Sequence, residues 1–150
     1  MKSRTAVGVV LAVVAVAGAT LAYRGRTHGP ATAGSAGSIR WEHDLASALK
    51  RAGDEKKLVM VDFYTDWCGW CKQFDRTTLA DGNVQKALTR VVLVKLDAER
   101  GGHEAASRYS VEGYPTIIFL SASGNEVGRI PGYMEAGPFL DELGDIFKHG

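Results

Sequence analysis

The chain has 150 residues and weighs 16.1 kDa, room for one domain of ordinary size. Lys and Arg total 18 against 17 Asp and Glu, and this near-balance excludes a dedicated nucleic-acid binder, which needs a basic excess to neutralise phosphates. An apolar fraction of 45% excludes a disordered chain, and two cysteines are too few for a disulfide-stapled miniprotein.

Lys2 and Arg4 precede an uncharged run from Ala6 to Ala22 that reaches about 25 Å as a helix. A basic start and an apolar run describe a secretory signal, with Ala17-Gly18-Ala19 as a small-residue cleavage site. They equally describe a short membrane anchor, with Tyr23 and Arg24 at the interface. Residues 1–23 are therefore read as signal peptide or signal-anchor helix, and either reading exports the remainder of the chain. Residues 24–38, rich in Gly, Ala, Ser and Thr, read as a flexible tether in which His28 is solvated. The folded domain is expected over 39–150. It holds all 17 acidic and 14 of the 18 basic residues, about −3 net, which gives no reason to expect an anionic partner.

Within that domain, Trp41, Leu45, Ala48, Leu49 and Ala52 have helical spacing, which predicts a helix from Trp41. Leu58–Tyr64 is a continuous β-prone run, as in a central strand covered on both faces. Cys68–Leu79 returns to helical spacing, and Asn83–Thr89 reads as a short helix with Asn83 near its cap. Val91–Leu96 is a second strand, His103–Tyr109 a helix, Val111–Pro115 a connector and Thr116–Leu120 a third strand. Ser121–Asn125, with Gly124, predicts a hairpin loop to a strand over Glu126–Ile130. Met134–Lys148 closes the chain as a helix with Phe139, Leu140, Leu143 and Phe147 on one face. Strands alternating with helices, then a hairpin and a last helix, predict an α/β sandwich with a mixed central sheet flanked by helices.

The chemistry is expected at one strand-to-helix turn, Trp67-Cys68-Gly69-Trp70-Cys71-Lys72. The first N–H groups of a helix lack internal partners and carry the positive end of its dipole. They favour a thiolate, so Cys68 reads as a nucleophile with a lowered pKa. Cys71, one turn further in and less exposed, is positioned to attack the mixed disulfide formed at Cys68. Other uses of the pair are weaker. Zinc wants about four ligands, and His43, His103 and His149 show no paired ligand spacing. A purely structural disulfide would close a tiny loop and stabilise little. No metal or cofactor is expected.

VDFYTDWCGWCK, then VKLD, then GYPT before a strand, resemble the thioredoxin superfamily. The stretch from about Trp41 to Leu143 most resembles the C-terminal soluble domain of bacterial transmembrane thiol:disulfide interchange proteins, through DFYTDWCGWCKQFD and NVQKAL. The resemblance implies a thioredoxin-like three-layer sandwich. Gly69-Trp70 stands between the cysteines where thioredoxin carries Gly-Pro, so the redox potential does not carry over.

Asp62 interrupts the apolar run Leu58–Phe63 and is expected to point inward, where a carboxylate is costly unless used or paired. The resemblance implies that it lies behind the cysteines and exchanges a proton with Cys71. Lys95 matches a family lysine near that acid and is read as tuning it, with a solvent-facing strand lysine as the alternative. Asp75 follows Cys71 by four residues and shares its helix face, where a carboxylate would raise nearby thiol pKa values; an ordinary surface acid is the alternative. The resemblance also implies that Pro115 forms a cis-proline loop against the cysteine pair, leaving the Tyr114 backbone to pair with an extended substrate segment. Trp67 and Trp70 are read as an apolar rim around Cys68, or as plain packing.

The functional expectation is an exported thiol–disulfide oxidoreductase acting on protein disulfides as a monomer, with a membrane or soluble electron donor. The reducing direction is favoured because no His or other cation lies between the cysteines to over-stabilise a thiolate. The alternative is a binding or chaperone-like module on the same fold without turnover.

Overall fold

The computed structural model describes residues 39–150. The signal or anchor reading of residues 1–23 and the tether over 24–38 lie outside the described residues. Among the described residues no helix is long and apolar enough to cross a membrane.

The chain runs β1 (Trp41–Glu42), α1 (Leu45–Glu55), β2 (Val59–Tyr64), α2 (Gly69–Arg76), α3 (Gly82–Leu88), β3 (Val92–Asp97), α4 (His103–Arg108), β4 (Thr116–Leu120), β5 (Glu126–Pro131) and α5 (Ala136–His149). The sheet order is β1-β3-β2-β4-β5. β3 lies parallel to both β1 and β2, whereas β4 is antiparallel to β2 and to β5. The mixed sheet expected from the sequence is present, with β2 at its centre.

Strand alternation sorts the side chains onto two faces. Val59, Val61 and Phe63 of β2 join Val92, Val94 and Leu96 of β3, Ile118 and Leu120 of β4, and Ala48, Ala52 and Ala106 of α1 and α4 in one core. Met60, Leu93, Ile117 and Phe119 face the other way, against Phe74, Val84, Leu88, Phe139, Leu143 and Ile146 of α2, α3 and α5. Phe74 and Phe139 meet edge to face at 5.3 Å between centroids, which locks α2 to α5. These two apolar layers hold the head of α2 at the end of the central strand.

Several boundaries differ from the sequence reading; α2, for one, ends at Arg76 rather than Leu79. Trp41 does not start the first helix. It pairs with Leu93 as a two-residue edge strand, and Asp44 caps α1 by accepting the Ser47 N–H at 2.8 Å. Asp81, not Asn83, caps α3, accepting the N–H groups of Asn83 and Val84 at 2.8 and 3.1 Å. α5 starts at Ala136 rather than Met134, and its buried face is Phe139, Leu143 and Ile146, with Leu140 and Phe147 only partly covered. The Ser121–Asn125 loop is as expected: Gly124, at φ 82°, turns it in a region that side chains disfavour, and the Ser121 N–H donates to the Asn125 carbonyl at 2.8 Å.

Candidate functional site: a disulfide at the head of α2

Cys68 is the N-cap of α2, extended at φ −69° and ψ 105°, so its side chain stands over the first helical turn. Its Sγ accepts the Cys71 N–H at 3.0 Å. Cys68 and Cys71 are joined by a disulfide, with Cα atoms 5.3 Å apart. The sequence reading placed Cys71 deeper than Cys68; in the bonded pair both are buried almost equally, at 3% and 4% exposure. A thiolate at Cys68 would be favoured by that N–H and by the positive end of the helix dipole.

The Tyr114–Pro115 bond is cis. The Pro115 carbonyl accepts the Gly132 N–H at 2.8 Å, so this loop is tied to the end of β5. The Thr116 hydroxyl closes the loop from within by donating to the Gly113 carbonyl at 2.7 Å.

A chain of charges joins β2, β3 and α2. Asp62 and Lys95 are register partners on the parallel strands β2 and β3 and share the sheet face that carries α2. Lys95 Nζ is 3.2 Å from Asp62 Oδ2 and also binds Asp75 Oδ1 on α2. Its ammonium lies 5.3 Å from the centroid of the Tyr64 ring and 5.5 Å from that of Trp41. Exposure rises along the chain, from 1% at the Asp62 side chain through 16% at Lys95 to 42% at Asp75.

Burial and attraction compete differently at the two inner groups. Burial is the largest influence on Asp62 and pushes its carboxyl up to about 6, although Lys95 pulls it down. Burial also opposes charge on Lys95, but Asp62 and Asp75 together outweigh it and hold the ammonium above its ordinary range. The asymmetry has a plain cause. Lys95 serves two carboxylates and reaches solvent, whereas Asp62 is fully buried and has one cation. Asp62 Oδ1 accepts no hydrogen bond; with Thr65 Oγ1 it is one of two such buried side-chain atoms among the described residues. Asp75 therefore meets Lys95 directly, a contact across twenty residues that the sequence reading did not foresee.

Two indoles flank the disulfide, with Trp67 67% exposed and Trp70 63% exposed. Neither is free. Trp67 Nε1 donates to Glu99 at 2.9 Å and its ring meets Tyr114 edge-on at 6.1 Å. Trp70 lies against Tyr133 at 5.5 Å. Glu99 belongs to the loop after β3, where Arg100 pairs with Asp66 and Asp97. That loop returns through Gly102, where a Cβ would stand 2.6 Å from the Asp97 carbonyl oxygen and 2.9 Å from Leu96 Cβ. The sequence reading missed Glu99 and Tyr133. Each meets its indole only through folding, and nothing local in the sequence marks either one.

The structure thus joins Cys68 to Cys71, sets Trp67 against Tyr114 and Trp70 against Tyr133, and links Asp62, Lys95 and Asp75 in one chain of charges. Among the described residues no group of three or more His, Cys, Asp or Glu is arranged to hold a metal ion. The sulfurs themselves are the groups that can carry electrons.

A family described as a thioredoxin-like domain matches residues 45–147. The chain belongs to the thioredoxin-like family. It is 37% identical over 110 residues to the thiol:disulfide interchange protein DsbD of Colwellia psychrerythraea, a match that covers 69% of this chain and 18% of that protein. The chain thus spans under a fifth of the length of the curated relatives it matches. A thioredoxin from Thermus thermophilus superposes with a TM-score of 0.66 at 34% identity, over 73% of this chain and 88% of that one. The reduced C-terminal domain of DsbD from Neisseria meningitidis superposes with a TM-score of 0.57 at 26% identity, over 71% of this chain and 94% of that one. In this thioredoxin-like chain Cys68 and Cys71 form a CxxC disulfide at the head of α2.

Proposed function

We propose that the chain is an exported oxidoreductase that reduces disulfides in protein substrates and is itself recharged by a membrane-bound electron donor. The observation that carries the reading is the Cys68–Cys71 disulfide on the first turn of α2, with the Cys71 N–H already directed at Cys68 Sγ. In the reduced protein, the Cys68 thiolate attacks one sulfur of a substrate disulfide and the other sulfur leaves as a thiolate. Cys71 then attacks Cys68 Sγ, the substrate's second thiolate departs, and the Cys68–Cys71 disulfide is restored. Two electrons pass from the pair to the substrate.

Asp62 exchanges the proton that Cys71 loses before it attacks. Its support is burial, a carboxyl held near 6 and an oxygen with no other partner. Lys95 and Asp75 tune that acid and position it from the solvent side. The Tyr114 backbone, beside the cis bond, pairs with the substrate's extended segment. Trp67 and Trp70 shield the exchange from water. The reducing direction is supported by the absence of a cation between the cysteines. Export, by signal or anchor, is supported by the apolar run after Lys2 and Arg4 and by the likeness to DsbD.

Turbidity of insulin in the presence of dithiothreitol tests the activity. The wild-type chain is expected to accelerate precipitation, and Cys68→Ser to lose about a thousandfold or more of that rate. Activity that survived the change would remove Cys68 as nucleophile. The equilibrium potential of the pair tests the direction: about −270 mV supports a reductant, and about −120 mV indicates an oxidant.

A further inference from the structure

The Trp70–Tyr133 contact forms one wall of an open cleft of about 590 Å³, lined by Trp67, Gly69, Trp70, Gln73 and Tyr133. Trp67 and Gly69 are the chain neighbours of Cys68, so the cleft begins where an incoming disulfide must dock. Its far wall is fixed from behind, since the Tyr133 hydroxyl lies 3.3 Å from Thr77 Oγ1 at the end of α2. The floor is left open by Gly69, where a Cβ would touch nothing within 4 Å. Packing does not require glycine there.

We propose that this cleft is a specificity subsite that takes an apolar or aromatic side chain neighbouring the reactive cysteine of the substrate, with Tyr133 as its determining residue. This deepens the oxidoreductase reading and rests on it. The occupant is set by the walls and by their position. Three aromatic rings and a glycine offer apolar area and one amide, and no charged side chain lines them. Rings already held by neighbours lose little freedom on binding, so the area they cover counts toward affinity. The cleft is continuous with the sulfur under attack. A segment bonded to Cys68 through its own sulfur therefore sets its adjacent residue over the cleft. Trp67, which lines the cleft beside Cys68, is itself held edge-on by Tyr114 at 6.1 Å, so this wall too is fixed before a substrate arrives.

The chemistry of exchange is unaltered by the subsite: the substrate disulfide breaks, a mixed disulfide forms at Cys68, and Cys71 releases the substrate as a dithiol. The oxidised pair is returned to the dithiol by dithiothreitol in the assay. The subsite contributes only to docking before the first attack.

The test uses the full chain and two disulfide-closed peptides that differ at the residue next to one cysteine, Phe in one and Ser in the other. Wild type is expected to favour the Phe peptide about tenfold in kcat/KM, chiefly through KM. Tyr133→Ala is expected to bring that ratio to within about twofold, while Tyr133→Phe, which keeps the ring, retains it. Equal rates on the two peptides by wild type overturn the subsite while leaving the oxidoreductase reading intact, as does a preference that persists in Tyr133→Ala. Reduction of neither peptide overturns both. A Tyr133→Ala change that converts a sedimenting dimer to monomer assigns the cleft to a second copy of the chain, which also overturns the proposal.

Discussion

The two faces of the central sheet are made by the same strands and do opposite work. Odd-numbered residues of β2 (Val59, Val61, Phe63) enter a core with α1 and α4 that holds no charge. Even-numbered residues begin alike, with Met60, and then reach Asp62 directly across from Lys95. One face is close-packed hydrocarbon; the other turns from hydrocarbon to a buried ion chain as it nears the disulfide. The contrast teaches that both sides of the sheet carry an apolar core, but only the side with α2 also carries a buried carboxylate. Its burial is a cost that the other side does not bear.

Changes in the apolar core and at the buried carboxylate should therefore differ in sign. The largest effect is expected at Phe63, fully buried and 6.5 Å from the Tyr109 ring. Phe63→Ala should lower unfolding stability by about 3–5 kcal/mol, read from urea midpoints of the oxidised protein. A loss under about 1 kcal/mol would mean that the Phe63 ring contributes far less than its full burial implies.

Asp62→Asn should act the other way. Below pH 3.8 the carboxyl is protonated in folded and unfolded chains alike. Above it the unfolded chain gives up its proton while the folded one keeps it until about pH 6. The folded state binds the extra proton across that window, so this group's contribution to stability falls as pH rises through it. The total is about 3 kcal/mol. Asn removes the penalty, so the variant should gain roughly that much at pH 7.5 and little at pH 4. Urea titrations at both values measure it, and a gain independent of pH would contradict burial as the cause. If Asp62 exchanges a proton with Cys71 as proposed, the same variant should also slow turnover, because its amide cannot.

The smallest effect is expected at Asp75, the most exposed member of the chain. Asp75→Asn removes a negative charge from the helix that bears both sulfurs. The reduced Cys68 thiol should then ionise at lower pH and alkylate about two- to fivefold faster near neutrality. An unchanged alkylation profile would confine Asp75 to holding Lys95.

These residues also mark what could be read in the chain itself. β2 and β3 were legible because continuous Val, Leu and Met runs have few uses outside a covered sheet, and the cysteines because their spacing matches one helical turn. Asp62 was legible as an interruption. Trp41 misled because its distance to Leu45 also suits a helix, and a two-residue edge strand is too short to show any period. Ile146 was overlooked on α5 in favour of Leu140 and Phe147, since spacing alone does not say which side of a wide apolar stripe is innermost. The Lys95–Asp75, Trp67–Glu99 and Trp70–Tyr133 contacts join residues 20, 32 and 63 positions apart, a separation no local pattern records.

Gly102 lies in a loop with no sulfur and no ring, yet even a methyl group there would collide with the end of β3. The displaced backbone would carry Glu99 with it and leave the Trp67 indole without its anchor. A missense change at this position would thus behave as a recognition defect with intact redox chemistry, and genetic screens for failed client reduction should return it beside the cysteines.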